Sequence, residues 1–108
     1  MKTQLSDITA AELKEKLAKG EEIHLLDVRE PIEFHTYNIG GQNLPLGALS
    51  NNLDDLAYNK DEEIVVICQR GIRSETGRRI LAAAGYSKVY NLTGGLLAYR
   101  RITEQNTI

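Results

Sequence analysis

The chain carries one cysteine, has no basic excess and lacks any apolar run long enough to span a membrane. One cysteine cannot close an internal disulfide, so the expected setting is reducing and cytoplasmic. The same shortage excludes dithiol exchange without a partner thiol. Thirteen basic against fifteen acidic residues leave a net charge of −2. Nucleic-acid and anionic-membrane surfaces usually need the opposite balance, so neither is an expected partner. The opening residues Met1-Lys2-Thr3-Gln4-Leu5-Ser6-Asp7 are polar and contain no signal-type apolar core. Repeats, low-complexity tracts and linkers are also missing, and 108 residues suit one domain spanning 1–108.

What is present reads as strands alternating with helices. Thr9 with Glu12 three residues later forms a capping box, and the helix it opens carries Leu13 and Leu17 and ends near Gly20. Ile23 to Val28 is a nearly continuous apolar run, the pattern of a strand buried on both faces. Pro31 suits the first turn of a short helix through Phe34, and Asn43-Leu44 a very short strand. Leu49, Leu53 and Leu56 predict a further helix starting near Leu46. Ile64 to Cys68 is β-branched and wholly apolar, which predicts a central strand. A helix follows over 73–84, with Gly77, Ile80, Leu81 and Ala84 inward and Gly85 as its stop. A last strand, Val89 to Leu92, leads through Thr93-Gly94-Gly95 into a terminal helix over 96–101. This alternation predicts an α/β fold with a parallel sheet covered on both faces. Sites in such sheets lie beyond the carboxyl ends of the strands, where Asp27 and Cys68 both fall.

Cys68 stands where the strand gives way to Gln69-Arg70-Gly71-Ile72-Arg73-Ser74 and then to a helix. A free cysteine alone is most often a small buried hydrophobe. Here a glycine and two arginines follow within five residues, and a strand-to-helix loop aims N–H groups inward as an anion nest. An ordinary thiol, with pKa about 8.5, is only a few per cent thiolate at neutral pH, and lowering it by about two units takes roughly 2.7 kcal/mol. A helix terminus supplies about 0.3–1 kcal/mol. Loop amides, with Arg70 or Arg73, must therefore provide the rest. Arg73 is placed to close the loop against Asp27, Glu30 or Glu33. His24 suits a sheet face and His35 the surface. Neither has the spaced ligands of a metal site, so no metal or cofactor is expected. Arg78 and Arg79 read as a solvated helix face.

These segments resemble the rhodanese sulfurtransferases. Leu25 to Phe34 is similar to the opening motif of that family, Asn43-Leu44-Pro45-Leu46 to its Asn-Ile-Pro-Leu segment, and Cys68-Gln69-Arg70-Gly71-Ile72-Arg73-Ser74 to the Cys-x-x-Gly-x-Arg-Ser loop of its single-domain members. Leu92-Thr93-Gly94-Gly95-Leu96 through Tyr99 resembles the closing Gly-Gly element. The resemblance runs in order from about Ile8 to Arg101. Some positions depart from it. Tyr37-Asn38-Ile39 stands where the family usually has Gly-His-Ile, and Tyr99 where many relatives have tryptophan.

The resemblance implies a three-layer domain built on a five-stranded, mainly parallel sheet, and transfer of sulfane sulfur through a persulfide on Cys68. The donor would be thiosulfate or a persulfide-bearing protein, and the acceptor a thiol or cyanide. The amides of Gln69, Arg70, Gly71, Ile72, Arg73 and Ser74 would hold the substrate or persulfide, and Arg70 an anionic donor. Asp27, Arg29 and Arg73 would shape the pocket wall, with Glu33 pairing one of these arginines. Two other functions stand beside this one. Phosphatase or arsenate-reductase chemistry uses a related loop with five residues between Cys and Arg, against four here, Gln69 to Ile72. A non-catalytic rhodanese-type interaction module would have no need of Cys68 with Gly71 and Arg73.

Overall fold

A computed structural model describes residues 6–104. Its elements run β1 (Asp7–Ile8), α1 (Ala10–Ala18), β2 (His24–Asp27), α2 (Pro31–Thr36), β3 (Gln42–Asn43), α3 (Leu46–Leu49), a 3-10 turn (Leu53–Asp55), β4 (Ile64–Ile67), α4 (Ile72–Ala83), β5 (Val89–Leu92) and α5 (Gly95–Glu104). The five strands form one sheet in the order β1-β5-β4-β2-β3, every pairing parallel.

The apolar run of β4 is explained by burial on both sides. Ile64, Val66 and Cys68 face a cluster with Leu26, Val28, Leu49 and Leu81, under α3 and α4. Val65 and Ile67 face the opposite cluster with Leu13, Leu25, Leu92 and Leu96, under α1 and α5. Each such side chain, fully withdrawn from water, contributes about 1.5–3 kcal/mol. With β5 and β2 as its neighbours, β4 is the central strand. The backbone leaving its carboxyl end at Cys68 therefore emerges between the ends of two other strands.

The capping box forms as read: Glu12 N–H donates to Thr9 Oγ1 at 3.1 Å and Thr9 N–H to Glu12 Oε1 at 2.8 Å. Gly77 is buried against the sheet. A Cβ there would meet Val66 Cγ1 at 3.2 Å and Val28 Cγ1 at 3.4 Å, so the glycine lets α4 pack closely on the strands.

Two expectations need correction. The helix over Leu49, Leu53 and Leu56 does not run through: α3 stops after Leu49, and only a 3-10 turn follows. Ser50-Asn51-Asn52 are poor helix formers, and Asn52 Nδ2 donates to the Ala48 carbonyl at 2.7 Å, an alternative to helical pairing. The three leucines still pack inward, because the turn restores their common face. The second correction is β1, a strand that the sequence pattern does not predict. It has two residues, too few for any periodicity, and exists because Asp7 and Ile8 pair with Asn91 and Leu92.

On the outer side of α4, Glu75 bonds Arg78 at 2.8 Å and 2.9 Å and Arg79 at 2.9 Å. The Arg78 guanidinium is the chief reason the Glu75 carboxyl falls to about 2, with Arg79 adding to it. A depressed carboxyl stabilises the fold above its unfolded pKa, and that contribution is lost as pH falls through the folded value. Glu75→Gln is therefore expected to cost a constant amount, about 1 kcal/mol for a partly exposed cluster, above pH 4.5. The difference from the parent should vanish as pH drops toward 2, as read by urea denaturation at a series of pH values.

Candidate active site

Cys68 is 1% exposed, yet it forms part of the wall of a cavity of about 350 Å³ together with Gln69, Arg70, Ile72 and Arg73. The loop wraps back over the sulfur because Gly71 takes a left-handed conformation, φ +92°, which ends the loop and opens α4. That turn aims the Gly71 N–H at Sγ, 3.1 Å away, and the first turn of α4 aims the Ser74 N–H at the same atom from 3.3 Å. The Ser74 hydroxyl, fully buried, lies 3.3 Å from Sγ.

The loop is held from behind by α5. Leu96 N–H donates to the Cys68 carbonyl at 2.9 Å and Leu97 N–H to the Gln69 carbonyl at 3.0 Å. Orphan donors at one helix N-terminus thus fix the carbonyls of the loop, leaving its own amides free to face the sulfur. The approach requires Gly95: a Cβ there would fall 2.5 Å from the Gln69 carbonyl carbon and oxygen.

The Cys68 thiol sits below its ordinary pKa. Burial is the largest single influence and pushes it up; the Ser74 hydroxyl and the amides of Ser74, Arg70 and Gly71 together outweigh burial. The Ser74 side chain, rather than a guanidinium, is the leading favourable influence on the sulfur; Arg73 interacts with it only through space, because its own donors are engaged elsewhere. Its Nη1 and Nη2 bond Glu33 Oε2 and Oε1 at 3.0 Å and 2.9 Å, a bidentate pair that lowers the Glu33 carboxyl and raises Arg73. Of the three carboxylates considered for Arg73, the structure selects Glu33. The pair spans α2 and α4 across the rim of the cavity.

Asp27 and Arg29 lie deep in the protein. They are 1% and 3% exposed and bond each other, with Nη2 to Oδ2 at 2.7 Å and Nε to Oδ1 at 2.9 Å. Arg29 Nη2 also donates to the Tyr37 carbonyl at 2.7 Å, tying the end of β2 to the end of α2. Arg29 borders a neighbouring cavity of about 370 Å³ with Glu33, Tyr37, Gln69 and Arg100, and Asp27 borders neither cavity. Asp27 holds the Arg29 guanidinium, and Arg29 in turn holds the end of α2, the helix that carries Glu33.

Arg70 is the opposite case. It is exposed, lines the Cys68 cavity and has no ion-pair partner among the described residues. Ile72 beside it is 75% exposed. His24 stacks on Tyr58 with ring centroids 4.6 Å apart, and His35 is exposed. Among the described residues no cluster of His, Cys, Asp or Glu could hold a metal ion, and no helix is long and apolar enough to cross a membrane. The sequence reading missed Asn91, whose amide touches both Ser74 and Gly71. A polar amide in the middle of an apolar strand was the available signal.

Comparison with known proteins agrees with this architecture. The chain is 34% identical over 97 residues to the probable adenylyltransferase/sulfurtransferase MoeZ of Mycobacterium tuberculosis, covering 89% of this chain but only 25% of that protein. It is 33% identical to the putative sulfurtransferase YtwF of Bacillus subtilis, covering 94% of this chain and 96% of the relative. The crystal structure of a rhodanese-like domain protein from Staphylococcus aureus superposes with a TM-score of 0.78 at 30% identity, over 87% of this chain and 90% of that one. The rhodanese-like domain family model matches residues 9–102. With its parallel sheet, its cysteine loop and these matches, the chain belongs to the rhodanese-like domain family.

Proposed function

We propose that this protein is a sulfurtransferase that carries sulfane sulfur on Cys68. The observation that supports it most is the sulfur held by two backbone amides and a hydroxyl at the base of a cavity edged by an unpaired arginine. Donors arranged in this way favour an anion on sulfur, and the nucleophile in sulfur transfer is the thiolate. Sulfurtransferase is also part of the names of MoeZ and YtwF.

In the proposed cycle the Cys68 thiolate attacks the outer sulfur of thiosulfate. The S–S bond of the donor breaks and sulfite leaves with the electron pair. Cys68–S–S⁻ remains, with the charge displaced onto the terminal sulfur. A thiolate or cyanide then attacks that terminal sulfur, the bond to Sγ breaks, and the Cys68 thiolate is restored. A protein persulfide would donate in the same way, with a thiolate as leaving group. No proton moves at either transfer, so the cycle needs no histidine base. Arg70 at the mouth would hold the anionic donor and the departing sulfite. The amides of Gly71 and Ser74 would hold the negative sulfur, and the Arg73–Glu33 pair would keep the rim in place.

Incubation with thiosulfate, alongside a protein-persulfide donor, should add one sulfur atom to the intact mass. Cyanide should remove it, and Cys68→Ala should never acquire it. Absence of an adduct with either donor, or turnover of an aryl phosphate ester instead, would overturn the proposal.

A further inference from the structure

Asparagine is depleted in strands, and burying its amide is costly unless every polar atom finds a partner. Asn91 nevertheless sits in β5, 6% exposed and in register with Val66 and Asp7 of the flanking strands. Both ends of its amide are used at the cysteine loop: Nδ2 donates to the Gly71 carbonyl at 3.1 Å, and Oδ1 accepts from the Ser74 hydroxyl. Gly71 and Ser74 also both donate their N–H groups to Cys68 Sγ. A closed ring results, from Sγ through Gly71, Asn91 and Ser74 back to Sγ.

The ring contains a conflict. Asn91 Oδ1 can only accept, and the Ser74 hydroxyl has one proton to give. While that proton lies on Asn91, Ser74 Oγ meets the sulfur 3.3 Å away as an acceptor, which suits a neutral S–H donor. Once the thiol proton leaves to bulk water, the thiolate seeks the same hydroxyl proton. Supplying it strips Asn91 Oδ1 of its donor in a buried place. In the persulfide, Sγ is bonded to carbon and sulfur and carries no charge, and the anion lies one bond further out. The Ser74 proton can then return to Asn91. Bare thiolate is the one state in which the ring cannot be satisfied.

We propose that Asn91 is a positioning residue for sulfur transfer, competing with Cys68 for the Ser74 hydroxyl proton so that the bare thiolate is held less tightly than the persulfide. This rests on the sulfurtransferase reading above. Its consequence is chemical: a thiolate with fewer hydrogen bonds has a higher pKa and is the stronger nucleophile.

Few other groups can confuse a titration here. From the loop and α4 the charged groups lining the cavity beside the sulfur are Arg70 and Arg73. Glu33 of α2 is engaged by Arg73, and Asp27 of β2 by Arg29. The first turn of α5, Gly95 to Ala98, carries no charge, and β5 offers only neutral Asn91 beside it.

The test is the pH midpoint for alkylation of Cys68 by iodoacetamide. Asn91→Leu, similar in size, frees the hydroxyl and should lower the midpoint by about one unit. Ser74→Ala should raise it by a similar amount. The double variant should lie close to Ser74→Ala alone, because competition for the proton needs the hydroxyl to be present. A purely structural role for Asn91 would instead shift the double variant further. Asn91→Asp, a stronger acceptor, should raise the midpoint, and it covers the case in which the leucine variant fails to fold. Raman spectra of the parent below its midpoint should show a hydrogen-bonded S–H band that becomes free in Ser74→Ala. An unmoved or raised midpoint in folded Asn91→Leu, an unmoved or lowered one in Asn91→Asp, or a free S–H band in the parent would overturn the proposal. Sulfur loading from thiosulfate, read in parallel by intact mass, separates the two ideas. Absent loading overturns the proposed function, whereas normal loading with unmoved midpoints overturns the role of Asn91.

Discussion

Gly95→Ala is expected to destabilise the protein by about 3 kcal/mol or more and to cut sulfur loading of Cys68 at least tenfold. Two physical costs combine. Gly95 has φ +63°, a left-handed conformation that costs an alanine roughly 1–2 kcal/mol. The added methyl would also stand 2.5 Å from the Gln69 carbonyl and 2.6 Å from the Arg70 nitrogen, both backbone atoms that no rotamer change can move. Relief requires the loop to shift away from α5, which breaks the bonds from Leu96 and Leu97 to the Cys68 and Gln69 carbonyls. The amides aimed at the sulfur move with them. Gly20→Ala provides the control: its φ is +76°, but nothing lies within 4 Å of the new methyl. It should cost only the conformational part and leave loading unchanged. Urea denaturation and intact-mass loading of both variants check the pair, and equal loading in Gly95→Ala and its parent would contradict the expectation.

Asp27→Ala is expected to cost about 3–5 kcal/mol, because it leaves the Arg29 guanidinium buried without its counter-charge. Against a typical total of about 5–15 kcal/mol, that is a large share of the stability of a domain this size. The midpoint of thermal unfolding should fall by roughly 15 °C. Asp27→Ala with Arg29→Met should recover most of the loss, since neither charge then remains to be desolvated. A double variant as unstable as the single one would mean that the pair matters for shape rather than charge. Calorimetry on the three proteins decides between these outcomes.

These two sites differ in how far they could be read from the chain. Asp27 was legible as the end of a buried strand, and the resemblance assigned it to a pocket wall. Its partner two residues later was not deducible, because Arg73 offered an equally reasonable match. Choosing among Asp27, Glu30 and Glu33 depends on the direction in which α2 leaves the sheet, and Glu33 wins because one turn of that helix carries it across to α4. Gly95 was visible as half of a Gly-Gly turn. Its role as the surface against which the cysteine loop packs required two segments 26 positions apart to be placed side by side.

Local chemistry accounts for most of the scaffold. The capping box, the stretches buried on both faces and the glycine that ends α1 each follow from interactions within a few residues. The nucleophile loop also belongs here, since a strand, a left-handed glycine and a helix start are consecutive in the chain. Contacts between distant segments account for the rest. The two-residue strand β1 exists through pairing with β5, and the break after α3 was hidden by leucines that still share a face. The hydrogen bonding of Cys68 likewise depends on Asn91, 23 positions away, which reaches the loop only because β5 lies beside β4. Periodicity and capping record what a residue does with its near neighbours, whereas the state of this sulfur is set by a donor that two remote groups must share.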